Sequence, residues 1–235
     1  MIEQQNAEVV EKAKSEQIKA QIAQSAPFLG KWLSILFWVT IISILAGILR
    51  YKKIAELVPA LYSLGWIISV LCMIARGLVL LMMCSESFRY FKSGICSLVA
   101  AIFNALPAII ISGAIDDLIL YFFLFVVELI LFVTLFVGEY YEYTGHAEVL
   151  QHVDIVQSEK WRKLWKWYIG IPIVLIGCLI LVYLLPDSQY WRTSNIFVLN
   201  VLLIVLCVVS IGVFIVAILK YVYLYRTAKI FKWYS

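Results

Sequence analysis

The chain predicts an all-α, polytopic membrane protein of about six transmembrane helices, with a polar N-terminal helix and a cytoplasmic helical loop. Three observations carry this reading. Of the 235 residues, 64% are hydrophobic and 14% are charged, against roughly 45–50% and about 25% in soluble domains. The apolar residues gather into runs close to the ~20 residues that cross a bilayer. Those runs lack the alternation of barrel strands, and in lipid an open chain satisfies its own backbone only as a helix.

The elements follow in order. Residues 1–28 read as a polar cytoplasmic helix, rich in Gln, Ala, Glu and Lys, with Glu8 and Lys12 paired at i,i+4. The segment lacks the basic start and apolar middle of a secretory signal. Pro27 is expected to break this helix before the membrane. Six apolar runs come next: Trp32–Leu49, Ile54–Cys84, Ser93–Gly113, Leu118–Gly138, Tyr168–Leu185 and Asn195–Leu219. They divide the chain into a four-helix transmembrane region over 29–138, a cytoplasmic amphipathic segment over 139–167, two further spans over 168–225 and a basic aromatic tail over 226–235. Pro107 and Asn104 lie inside the third run and predict a kink or tilt there.

Orientation follows from Lys and Arg. With the N-terminus on one side, that side carries fourteen of them, including Lys31, Arg89, Lys92, Lys160, Lys220 and Lys232. The other carries four: Arg50, Lys52, Lys53 and Arg192. The excess places both termini and the 139–167 loop in the cytoplasm of a cell membrane. Aromatic residues such as Trp32, Tyr51, Trp165, Trp167 and Tyr223 fall where the runs end, the depth that rings with one wet edge prefer. The net charge of +4 is modest and scattered, so nucleic acid is not an expected partner. The expected surroundings are the bilayer and its anionic headgroups, with a membrane protein partner or a second copy as candidates.

Few residues suggest chemistry. Arg76 and Glu128 lie inside apolar runs at similar distances from the cytoplasmic ends. A lone charge at mid-bilayer costs a few kcal/mol, so the two are expected to pair, as an interhelix clamp or as part of an ion or substrate path. Snorkelling of Arg76, with a protonated Glu128, is the other reading. Glu142 and His146, and likewise Glu148 and His152, sit at i,i+4 as metal ligands can. No third ligand set accompanies them, and ordinary helix-surface pairs are the simpler account. No metal or cofactor is expected. Trp161, Leu164, Trp165 and Tyr168 follow i, i+3, i+4, i+7 among Lys160, Arg162, Lys163 and Lys166. This predicts an interfacial anchor, its aromatic stripe in the headgroup zone. The helix that bears it is expected to be capped by Asp154 or Ser158. The five cysteines form no CxxC and read as small apolar residues.

The segments EYYEYTGHAEVLQHVD…SEKWRKLWKWYIG and MMCSESFRYFKSGICSLVAAIFN resemble those of uncharacterised bacterial multi-pass membrane proteins. Some of those carry an N-terminal zinc ribbon, whose cysteines have no counterpart here. The resemblance covers about residues 30–220; it implies the topology and no activity. Three functional readings stand: a non-enzymatic membrane scaffold or sensor; a small transporter or channel using Arg76 and Glu128; and a membrane enzyme using Glu142, His146, Glu148 and His152. Polar residues in the runs are few (Ser69, Asn104, Thr134, Asn200, Ser210), which favours the first over the second. The sequence holds no HExxH and no phosphate loop, which disfavours the third.

Overall fold

A computed structural model describes residues 2–110, 117–184 and 194–234. Every element in them is helical: α1 (Ile2–Leu49), α2 (Lys52–Leu57), α3 (Pro59–Met82) with a 3₁₀ turn after it (Met83–Ser85), α4 (Phe88–Ile110), α5 (Asp117–Leu150), α6 (Ile155–Leu184) and α7 (Ser194–Tyr234). Four segments are long and apolar enough to cross a membrane: Ile22–Leu49, Pro59–Ser85, Leu120–Leu150 and Leu203–Tyr234. The expected count of about six is not reached among the described residues. α4 and α6 carry charged residues near their starts, Arg89 and Lys92 in the one and Glu159 to Lys166 in the other. The IDD separator falls partly, and PDSQYWRTS almost wholly, outside the described residues.

Local chemistry sets the boundaries. Val58 adopts extended angles before Pro59, which opens α3; a residue preceding proline is pushed out of the helical region, and proline suits a first turn. At the start of α4, Ser87 Oγ accepts the Arg89 N–H. Asp154 Oδ1 accepts the Gln157 N–H at 2.9 Å and so caps α6 as expected.

Two expected breaks do not occur. α1 runs through Pro27 for 48 residues. Proline removes one helical bond, but Ala26, Leu29 and Leu33 on either side are buried and keep the segment packed. The 139–167 segment is likewise not a separate loop. α5 continues through Gly145 to Leu150, a turn of four residues follows, and α6 begins at Ile155. Gly145 stays helical because the Tyr90 ring packs on its bare backbone, where an added Cβ would sit 3.0 Å from Tyr90 Cε1.

The long helices form a ring in chain order. α1 packs on α3, α3 on α4, α4 on α5, α5 on α6, α6 on α7, and α7 back on α1. Neighbours are antiparallel: Gly65 of α3 approaches Leu49 of α1, and Gly30 of α1 approaches Lys232 of α7. The α3–α4 seam is close at Gly77 and Gly94: an added Cβ at Gly77 would meet the Leu98 side chain and the Gly94 carbonyl oxygen, and one at Gly94 the Gly77 carbonyl oxygen and the Leu81 side chain. Small residues permit such close crossings.

Packing is uneven along the ring. The core gathers at the end that carries both chain termini and the α5–α6 turn: Leu29, Leu36, Leu80, Tyr90, Trp161 and Phe231 are all buried there. Toward the other end large apolar side chains stay exposed, among them Phe122, Phe125, Ile204 and Phe214. Such a surface suits lipid rather than water.

Candidate functional site

Polar groups on α5 and α4 gather on single helical faces. On α5, Glu128, Glu139, Glu142 and His146 are spaced 11, 3 and 4 residues apart, which places them on one face of a 3.6-residue helix. On α4, Tyr90, Ser93, Ser97 and Asn104 share a face by the same rule, and the first three are buried.

Four charges meet at the inner boundary of the packed core. Arg76 of α3 donates to Glu139 Oε1 at 2.5 Å and to Glu142 Oε2 through both Nε and the same terminal nitrogen. Lys220 of α7 donates to Glu139 Oε2 at 2.6 Å and lies 3.2 Å from Glu142 Oε1. Two cations face two carboxylates, so the group is neutral as a whole. Charges withdrawn from water are tolerated when each finds an opposite partner and directed hydrogen bonds. The three contributing helices, α3, α5 and α7, are every second member of the ring. The quartet therefore ties helices that are not ring neighbours.

Below the quartet the polar chain continues into the core. His146 Nε2 lies 3.7 Å from Glu142 Oε1, and Nδ1 is 2.8 Å from the Tyr90 hydroxyl. Its ring packs 4.6 Å from that of Trp161, centroid to centroid. Trp161 in turn donates its indole N–H to Thr227 Oγ1 at 3.1 Å, and Ser93 Oγ donates to the Gly138 carbonyl.

The expected pair of Arg76 and Glu128 is not formed. Glu128 lies ~16 Å along α5 from Glu139 and lines a different cavity of about 610 Å³, with Arg50, Trp66 and Asn104. The fourth apolar run ends at Gly138, but its helix does not. α5 continues, and it is Glu139 and Glu142 that arrive level with Arg76. The sequence did hold a signal for this: those two acids fall on the same helical face as Glu128 once α5 is extended. Lys220, at the end of the sixth run, was counted only for topology.

The other candidates separate. Glu142 and His146 are buried together, whereas Glu148 turns to Ser87, accepting its hydroxyl at 2.8 Å, and to Arg89, an ion pair at 3.0 Å. His152 lines a surface cleft with Glu86 and Glu148. Among the described residues no group of three or more His, Cys, Asp or Glu side chains is placed to hold a metal ion. The stripe Trp161, Leu164, Trp165 and Tyr168 faces the bundle: Trp161 is fully buried among Tyr143, His146 and Tyr223, and Trp165 and Tyr168 pack on Phe136. The 3.6-residue periodicity holds, and the apolar face meets helices α5 and α7. Comparison with known protein families, with characterised proteins and with solved structures finds no match to this chain, so the resemblance noted in the sequence has no family model behind it.

Proposed function

We propose that the protein is a non-enzymatic integral membrane protein that spans the cell membrane six times and acts as a scaffold or sensor, with both termini and the α5–α6 turn in the cytoplasm. The observation that carries this is the closed quartet. Arg76, Lys220, Glu139 and Glu142 spend their charge on one another, and Leu80, Met83, Tyr90 and Trp161 pack the space on its terminal side. Such an arrangement suits a clamp that fixes three alternate helices relative to one another. It also suits a two-state joint, since three helices share one set of contacts. A catalytic use of Glu142, His146, Glu148 and His152 has less support, because two of them are buried and two lie at the surface.

A transporter or channel is the second reading. It is favoured by the single helical face of α5 that carries Glu128, Glu139, Glu142 and His146, and by the cavity that Glu128 lines. Intramembrane ionisable groups facing a bundle interior often mark ion or proton paths. Flux measurements on the full chain in liposomes separate the two. The clamp predicts proton, sodium and potassium flux equal to protein-free liposomes. Flux above that level, abolished by Glu139→Gln, would establish the transport reading instead.

A further inference from the structure

A cleft of about 710 Å³ opens between the α5–α6 turn, the start of α6 and the end of α7, within the roughly 300–1,000 Å³ found for small-molecule pockets. The helical repeat sets its charge. Arg226, Lys229 and Trp233 stand at i, i+3 and i+7 of α7, and Gln157 and Lys160 at i and i+3 of α6, so each set falls on one helical face. Three of these side chains are cations, and Asp154 is the one acid among the lining residues. The core cations Arg76 and Lys220 are matched by carboxylates, as is Arg89. Among the described residues Lys160, Arg226 and Lys229 make no ion pair and no side-chain hydrogen bond. Asp154 has Oδ1 on the Gln157 backbone N–H, where it caps α6. Gln157 itself is only 3% exposed, and its amide nitrogen has no hydrogen-bond partner. The last torsion of a glutamine side chain is broad, so this N–H₂ group can turn to an acceptor in the cleft. Lysine and arginine donate and never accept. The lining therefore suits an occupant that accepts hydrogen bonds and carries negative charge.

We infer that this cleft binds a phosphomonoester, its phosphate held between Arg226 and Lys229 of α7 and Gln157 and Lys160 of α6. Three cations against one acid leave an excess of two positive charges. A phosphomonoester brings roughly 1.5–2 negative charges at neutral pH, whereas a carboxylate or a phosphodiester brings one. The arginine fork takes two phosphate oxygens at once, and lysine adds a point charge. Trp233, exposed in the cleft wall, offers apolar surface to the group that carries the phosphate. That carrier is a lipid of the bilayer surface or a small soluble ester, and both present the same head. A bound phosphate bridges α6 and α7. The cleft shares no residue with the Arg76 quartet, so the inference stands apart from the clamp and transport readings.

The test uses the full chain in phosphatidylcholine nanodiscs, with the thermal unfolding midpoint as readout. Ionic strength is held constant, because salt screens exposed charges. Glycerol phosphate, added to the buffer, probes the soluble source. Phosphatidic acid, mixed into the nanodisc, probes the lipid source. Acetate and phosphatidylglycerol are the singly charged controls. A saturable rise is expected with glycerol phosphate, with phosphatidic acid or with both, and the arm that responds names the source. The controls should leave the midpoint in place. Loss of two charge-assisted contacts in Arg226→Gln/Lys229→Gln should weaken half-saturation about tenfold or more, and Lys160→Gln should weaken it in the same direction. Arg162→Gln/Lys163→Gln removes the same charge from exposed positions of α6 outside the cleft and should leave the response unchanged. No rise in either arm, or an equal rise with the singly charged controls, would overturn the inference. So would equal weakening by the two double variants, which would show attraction to surface charge in general. If Arg226→Gln/Lys229→Gln does not fold, Lys160→Gln against the Arg162/Lys163 control decides. Absence of binding leaves the flux result untouched, so the cleft and the scaffold reading fail separately.

Discussion

Arg76 is the residue on which the interior depends most. Its guanidinium reaches both carboxylates from α3, and α3 carries no other cation to replace it. Removing one partner of a buried ion pair costs about 3–5 kcal/mol, because a bare charge is left behind. Arg76→Met is therefore expected to destabilise the fold by about that amount. Adding Glu139→Gln restores one cation against one anion, and the double variant should be milder than the sum by roughly 0.5–3 kcal/mol. Arg76→Met with Glu128→Gln should instead be additive within about 0.5 kcal/mol, since the two do not touch. Unfolding in mixed micelles measures both cycles, and coupling to Glu128 without coupling to Glu139 would reverse the assignment. Gly94 sets a second limit at this scale. A Cβ there would lie 2.9 Å from the Gly77 carbonyl oxygen, and backbone cannot rotate away as a side chain can. Gly94→Ala should cost about 1–3 kcal/mol through forced separation of α3 and α4; an unchanged unfolding midpoint would contradict the tight crossing.

At the level of elements, two helices behave differently from their sequence signals. α1 passes through Pro27 unbroken, so the proline removes a hydrogen bond without providing a hinge. Pro27→Ala returns a donor to the Ala23 carbonyl and should leave the fold intact and stabilise it, by up to about 3 kcal/mol. A destabilised Pro27→Ala protein would show that the proline's shape is needed. α6 buries its aromatic stripe against α5 and α7. Trp161→Ala is expected to cost about 3–5 kcal/mol as a cavity in the core, while Trp167→Ala, at an exposed position, should stay within about 0.5 kcal/mol. Equal tolerance at both positions would return the stripe to a lipid interface.

The whole molecule is a closed ring of antiparallel helices, packed like a soluble bundle at one end and exposing apolar side chains toward the other. That gradient accords with the proposed orientation, in which the packed end with its basic residues faces the cytoplasm. In a cysteine-free background, a thiol at Tyr51, exposed between α1 and α2, should react with an impermeant reagent applied to sealed cells. A thiol at Gln151, in the α5–α6 turn, should react only after the cells are opened. Reaction at Gln151 in sealed cells would invert the topology.

The sequence by itself determined the solvent, the helical class and the caps. Apolar runs such as Ile54–Cys84 admit only lipid or a very large core as surroundings, and the cap at Asp154 is a contact between residues three apart. Apolar periodicity also found the stripe at Trp161. It could not say what the stripe touches, since lipid and a neighbouring helix are equally apolar and the choice depends on which helices close the ring. The partner of Arg76 was hidden for a related reason. Its depth is set by where α3 and α5 actually end, and α5 carries its helix 12 residues past the last apolar position, from Gly138 to Leu150. A polar residue halts a hydropathy run but not a hydrogen-bonded backbone. Glu139, Glu142 and His146 remain helical with partners from other helices, Arg76 of α3, Tyr90 of α4 and Lys220 of α7, and those partners are brought together only by tertiary structure.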